Sequence, residues 1–145
     1  MLTQIVFSFL VSGSTSILNN VQKKYFVLCG ISGVIAALAY NYFIAHNNAA
    51  ISSLISCVIL SICSQFFAQM TKIPSMVFTI SGIMPIVPGS LLFKAFNSLA
   101  ENNYNQAINF GTQAILVGFS IAIGFLINEV LSSVLLNLKN AVKKI

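Results

Sequence analysis

Residues Thr79–Leu92 read TISGIMPIVPGSLL. The stretch is apolar enough to sit in a membrane, yet Gly82, Pro85, Pro88 and Gly89 fall within eight positions. Proline removes a backbone donor and clashes with the preceding turn. Glycine permits backbone geometry that other residues resist. In hydrocarbon, a freed carbonyl or N–H costs several kcal/mol unless protein or water satisfies it. A break in such a segment is therefore expected to face protein or a polar cavity rather than lipid.

The rest of the chain makes a membrane the right setting. Of 145 residues, 57% are hydrophobic and 6% charged, with a mean hydropathy of +0.93. Soluble domains carry about 25% charged residues, so this chain lacks the polar side chains to cover a water-facing surface. A spanning helix needs about 20 mostly apolar residues. Five apolar segments are legible, at about Leu2–Leu18, Tyr25–Ala45, Ala49–Gln69, Pro74–Leu99 and Ile108–Leu136. The expected fold is an all-α integral membrane domain over residues 1–145, with five transmembrane helices and the fourth broken at its Pro-Gly motif. The start, MLTQIVFSFLVSGSTSIL, has no basic leading region or clear cleavage site, so it reads as a retained first span.

Charge sets the expected orientation. Lys23 and Lys24 lie between spans one and two, Lys72 between three and four, and Lys139, Lys143 and Lys144 after span five. Five full crossings put all six on one side, which the positive-inside rule makes the cytoplasm. The N-terminus is then outside and the C-terminus inside. A re-entrant hairpin at Pro85–Gly89 would put the lysine-rich tail opposite Lys72, so charge favours a full crossing in two pieces. Lys94 follows Lys72 by 22 positions, or about 33 Å at helical rise, near the outer interface. The formal net charge of +5 is dispersed between spans, so it reflects orientation rather than a nucleic-acid partner.

Candidate functional residues follow from the break and from polar side chains inside spans. The half-helix after the break is expected to begin near Pro88–Gly89–Ser90 and to direct N–H groups with partial positive charge at an anion, as discontinuous transporter helices do. Pro85, Pro88, Gly89 and Ser90, with Thr79 and Ser81, form the candidate substrate site. A packing kink with no ligand is the alternative. In span three, Ser53, Cys57, Ser61, Gln65 and Gln69 recur every four residues and share a face. That face either makes interhelical hydrogen bonds or, through Ser61 and Gln65, lines a solute path. Cys29, Gly33 and Ala37 in span two read as helix packing. Gln113 and Asn128 in span five are further path-lining candidates, and Glu129 is the one acid within a span. Intramembrane acids are candidate proton carriers, but an interfacial acid beside the basic tail is the other reading.

Enzyme chemistry finds little material. The chain has one histidine and no aspartate, and its three cysteines match no zinc or redox motif. No catalytic residues, metal site or cofactor are expected, and an ATP-driven pump is excluded for this chain alone.

The run PSMVFTISGIMPIVPGSLLFKAF resembles the core motif of the threonine/serine exporter family, through Pro74, Phe78, Gly82, Pro85, Pro88, Gly89 and Phe93. The earlier run ILNNVQKKYF resembles the family's first loop through Asn20, Val21, Lys23, Lys24 and Tyr25. Asn19, Gln22 and Phe93 depart from the family's frequent aromatic, proline and tyrosine, and the loop before Pro74 has only Lys72. The resemblance implies a bacterial inner-membrane exporter of small polar metabolites, threonine or serine by family name, coupled to protons. It also implies that this is the smaller, YjjB-like subunit of a pair whose larger partner is YjjP-like. A dicarboxylate substrate stays open, since it too carries a carboxylate that a helix N-terminus can hold. Two other roles compete: a non-transporting assembly subunit and a small channel-forming homo-oligomer.

Overall fold

The computed structural model describes the backbone of residues 2–142; the side chains of residues 128, 131, 132 and 135–142 lie outside that description. The chain is helical throughout, in six α-helices among the described residues: α1 (Leu2–Leu18), α2 (Phe26–Ile44), α3 (Ala49–Thr71), α4 (Ser75–Ile83), α5 (Gly89–Ala100) and α6 (Tyr104–Val142). Short 3-10 turns at Lys23–Tyr25 and Met84–Ile86 precede α2 and follow α4.

The helix ends follow local chemistry. Asn20 and Asn102 adopt left-handed backbone, φ 57° and 59°. At each, the chain closes a Schellman motif. Val21 N–H donates to Ser16 O and Asn20 N–H to Ile17 O, both at 3.0 Å. Asn103 N–H donates to Ser98 O at 2.8 Å and Asn102 N–H to Leu99 O at 3.0 Å. Asparagine tolerates this conformation better than other chiral residues, which explains why two polar residues sit at these corners. Lys72 is also left-handed at the end of α3, φ 59°, with its N–H on Ala68 O at 2.8 Å, and Pro74 then separates α3 from α4.

Helix directions follow from paired contacts. Gly13 lies against Phe26, Gly30 against Phe9 and Gly33 against Ser12, so α1 and α2 run antiparallel. Gly124 lies against Cys57, and Gln113 shares a cleft with Asn48–Ala50, so α3 and α6 run parallel. The start of α6 is therefore at the same end of the bundle as the start of α3. The segment from Ser75 to Ala100 must carry the chain from the Lys72 end to the opposite end. Its two pieces are bent by 40°, a kink in one pass rather than a doubling back.

By length and apolarity, Lys23–Ile44, Ala49–Thr71 and Tyr104–Ile127 each suffice to cross a membrane, and Ser75–Ala100 is a fourth if the bent pair is one span. Helix α1 is apolar but has only 17 residues.

Packing is by small residues. Ser8, Ser12 and Ser16 on α1, Ser32 on α2, and Ser52, Ser53, Ser56, Ser61 and Ser64 on α3 are all buried. A Cβ added at Gly33 would lie 2.3 Å from Ser12 Cβ, and one at Gly124 would lie 2.3 Å from Cys57 Cβ. Backbones approach this closely only where side chains are minimal, the packing logic of helices in lipid. Ala36, Cys57, Leu60, Ile83 and Ile86 form the apolar centre. Phe78 is fully buried and meets Tyr25 and Phe67 edge to face, with ring centroids 6.4 and 5.8 Å away.

Candidate functional site

The break has a defined geometry. Pro85 has no N–H to give the Ser81 carbonyl four residues back. That carbonyl is instead 2.6 Å from Ser12 Oγ, which also lies 2.6 Å from Cys29 O. One hydroxyl proton thus serves carbonyls of α2 and α4 from α1. Ser32 Oγ bridges the same two helices lower down, 2.7 Å from Cys29 O and 3.2 Å from Phe78 O. The Ser12 hydroxyl thus replaces what Pro85 removes at the Ser81 carbonyl, and Ser32 adds a second tie between α2 and α4.

This arrangement gives a double-mutant test. Ser12→Ala should strand a buried carbonyl and destabilise the protein by about 1 kcal/mol, in line with interhelical hydrogen bonds in membranes. Pro85→Ala restores a backbone donor for Ser81 O. In that background Ser12→Ala is expected to cost measurably less. Thermal unfolding of the four variants in detergent checks this; strictly additive effects would refute the compensation.

After the break, Val87 is extended and Pro88 caps α5 without any side-chain hydrogen bond. Gly89 N–H turns back to Val87 O at 2.8 Å, and the first helical bond is Leu92 N–H to Pro88 O at 3.1 Å. The N–H groups left to point outward at this N-terminus are therefore those of Ser90 and Leu91, as helix geometry requires. Gly89 and Ser90 are exposed, and Pro85 and Pro88 are half-buried. Thr79 and Ser81 are elsewhere: both are buried in α4. Thr79 Oγ1 donates to Ser75 O at 3.1 Å, and Ser81 Oγ is buried with no hydrogen-bond partner. The six residues of the candidate substrate site thus separate into an open group at the break and an internal pair.

The path-lining candidates separate too. Ser61 Oγ lies 3.4 Å from Gly124 O on α6, and Gln65 Nε2 donates to Ser75 Oγ at 3.2 Å. Both are buried contacts between helices of this chain. Gln69, further along the stripe, is exposed. Gln113 is exposed and lines a cleft of about 340 Å³ with Asn48, Ala49, Ala50 and Leu116. The Asn128 side chain lies outside the described residues. Glu129 is exposed and, at helical rise, about 38 Å along α6 from Tyr104.

One feature was not anticipated from the sequence. Thr3, Gln4, Phe7 and Ser8 of α1, Ala37, Tyr40 and Asn41 of α2, and Pro85 line an open surface cleft of about 440 Å³. The polar residues on its two walls are more than 30 positions apart in the chain. A polar pair, Tyr40–Asn41, near the end of an apolar span was the available signal.

Among the described residues, no group of three or more His, Cys, Asp or Glu side chains is placed to hold a metal ion. A kinked pass held open by prolines, with uncapped N–H groups and polar clefts in an apolar bundle, defines a membrane protein built around a polar interruption. Residues 4–131 match the family described as "Threonine/Serine exporter, ThrE", and the chain belongs to that family, a family of transporters. No curated protein and no solved structure matches the chain.

Proposed function

We propose that this chain is one half of a secondary exporter of small polar carboxylate metabolites. Its five passes each cross a bacterial inner membrane, with the N-terminus outside and the C-terminus in the cytoplasm. The other half is a larger, YjjP-like membrane subunit. The observation that carries this reading is the open N-terminus of α5. Ser90 and Leu91 direct backbone N–H groups outward from the middle of an apolar pass, where no side chain caps them. Lipid cannot satisfy such groups; a solute carboxylate in a water-accessible path between two subunits can. The parallel run of α3 and α6 supports the odd number of crossings, and lysines at one end support the orientation. A reporter fused after Ile145 that is active only outside the cytoplasm would overturn the orientation.

The test of the whole reading is efflux from cells preloaded with threonine, serine or a dicarboxylate. Cells expressing both subunits are expected to export the substrate, and cells expressing this chain alone are not. Saturable export by the purified chain alone in liposomes would refute the half-transporter reading.

Glu129 is the proposed proton carrier, being the one carboxyl group within α6. Glu129→Gln is expected to abolish the dependence of export on the proton gradient while exchange of internal for external substrate continues. Unchanged gradient dependence would remove Glu129 from the mechanism.

A further inference from the structure

The helices do not end at one level. Leu116 shares a cleft with Asn48–Ala50 at the start of α3, and Gly124 lies against Cys57, an equal distance further along each helix. Tyr104 precedes Leu116 by 12 positions, so α6 begins about 18 Å beyond the His46–Asn48 corner. Helix α5 packs on this forward part of α6. Lys94 lies over the Phe110 ring, 5.8 Å from its centroid, and Ala95, Ser98 and Ala107 are buried where the two helices meet. The pair forms a helical hairpin that stands past the rest of the bundle, tipped by the exposed Glu101, Asn102 and Asn103. Lipid does not reach all of it. Helix α3 has 23 residues between the corner and Lys72, about 34 Å, already enough for a hydrocarbon layer about 30 Å thick. Lys23, Lys24 and Lys72 hold that layer at their end, so the hairpin extends outside it.

The hairpin has two unlike faces. On α6, Tyr104, Ile108, Gly111, Ile115, Gly118 and Ala122 recur at alternating steps of four and three, the spacing of a coiled-coil seam. Tyr104, Ile108 and Ile115 are 61%, 64% and 59% exposed. On α5, Leu92, Phe96 and Leu99 follow the same steps and are exposed too. Helical periodicity places both sets on the side of the hairpin away from Lys94 and Phe110, and no charged residue is among them. Glycine adds a second mark. A Cβ added at Gly13, Gly30, Gly33, Gly82 or Gly124 would come within 2.6 Å of a side chain on another helix, so these five mark where helices of this chain meet. Gly111 and Gly118 meet nothing within 4 Å, although glycine weakens a helix interior.

We infer that this face binds a second copy of the chain, two hairpins closing face to face into a four-helix bundle outside the membrane. A two-fold axis along the membrane normal inserts both copies the same way and sets hairpin against hairpin at equal height. The six large side chains of the face expose on the order of 600 Å² per copy, so the pair buries about 1,200 Å², the lower bound of stable specific interfaces. The face suits its own copy. Both helices carry ridges at one spacing, Gly111 leaves a hollow between Ile108 and Ile115 for an opposing side chain, and no charge is left unpaired. Within one hairpin the contact uses small residues, which leaves the large ones for the second copy. The inference stands on the hairpin alone and does not rest on the exporter reading; it leaves the surfaces of α1–α4 free for a different subunit.

The test uses the full chain in the membranes of living cells. A photo-reactive benzophenone amino acid replaces Ile108 or Phe96 on the apolar face, or Asn97 or Asn109 on the far side. Illumination is expected to give a species of twice the chain's mass from the first two positions and not from the second two. Charge tests the same face independently, through a chain carrying both Ile108→Lys and Ile115→Lys. Both side chains are more than half exposed, so this variant is expected to reach the membrane in native amount while losing its co-purification with a differently tagged native copy. Cross-linking of Ile108 or Phe96 to a different protein assigns the face to another partner and overturns the proposal. Absence of any cross-linked protein, or equal cross-linking from both sides, does the same. Loss of the double-lysine variant from the membrane would place the face in lipid and overturn it too, as would co-purification that survives both lysines.

Discussion

Gly89→Leu is expected to leave the amount of folded subunit in the membrane unchanged while lowering export per complex by about tenfold or more, equivalent to about 1.4 kcal/mol or more in the barrier. No heavy atom lies within 4 Å of a Cβ built on Gly89, so a side chain there meets nothing inside this chain. The residue has ordinary negative φ, since no glycine among the described residues has a positive one. The backbone does not demand glycine at this position. What a leucine would obstruct is the approach of another molecule to the N–H groups of Ser90 and Leu91. Membrane insertion should persist, because the substitution adds apolar surface. The measurement is efflux rate divided by the amount of assembled complex. A rate per complex equal to the native value would make the break a packing kink and remove it from the substrate path.

Gly33→Leu should have the opposite profile. A Cβ at Gly33 would fall 2.3 Å from Ser12 Cβ, 2.6 Å from Ser12 Oγ and 3.3 Å from the Ser8 carbonyl oxygen. Backbone cannot yield like the end of a flexible side chain, so α1 and α2 must separate. That separation also pulls Ser12 away from Ser81 O. Overpacking typically costs about 1–3 kcal/mol and at times more, and here the clash begins at Cβ and involves backbone, so leucine falls at the costly end. The variant is expected to be nearly absent from the membrane, and Gly33→Ala to be present at reduced level with lowered thermal stability in detergent. Adding Ser12→Gly to Gly33→Ala should recover part of the loss, since it restores space but not the hydrogen bond. A stable Gly33→Leu protein would show that α1 and α2 do not pack as described.

Much of the fold was legible in the sequence because the bilayer imposes a simple rule. The segments read at Leu2–Leu18 and Ala49–Gln69 match α1 and α3 closely, and the second begins and ends within a residue of α2. Proline and glycine mark the break, and the helix is interrupted there, between Ile83 and Gly89. The sequence was less informative about partners. That Gly89 N–H would turn back to Val87 O, leaving Ser90 and Leu91 as the outward donors, depends on dihedral angles that composition does not encode. The Ser12–Ser81 and Tyr40–Gln4 juxtapositions join residues far apart in the chain. They are fixed by which helix lies beside which, and no single-helix periodicity contains that information. The stripe on α3 was recognised as one face, but whether Ser61 and Gln65 met protein or water turned on where α4 and α6 settled.

The two halves of the kinked pass have different neighbours. Helix α4 is gripped by α1, α2 and α3, whereas α5 packs chiefly on α6. An unbroken helix over Ser75–Ala100 would be a strut of about 39 Å, rigidly coupling α6 to the hydroxyl-tied group around α4. The prolines turn that strut into a joint. A change in the angle between α4 and α5 is then taken up by a few dihedral angles between Met84 and Gly89, as in hinges generally, and no hydrogen bond within either helix has to break. Because α6 is also seated on α3, where Gly124 abuts Cys57, the joint frees the angle of α5 without loosening the bundle around it.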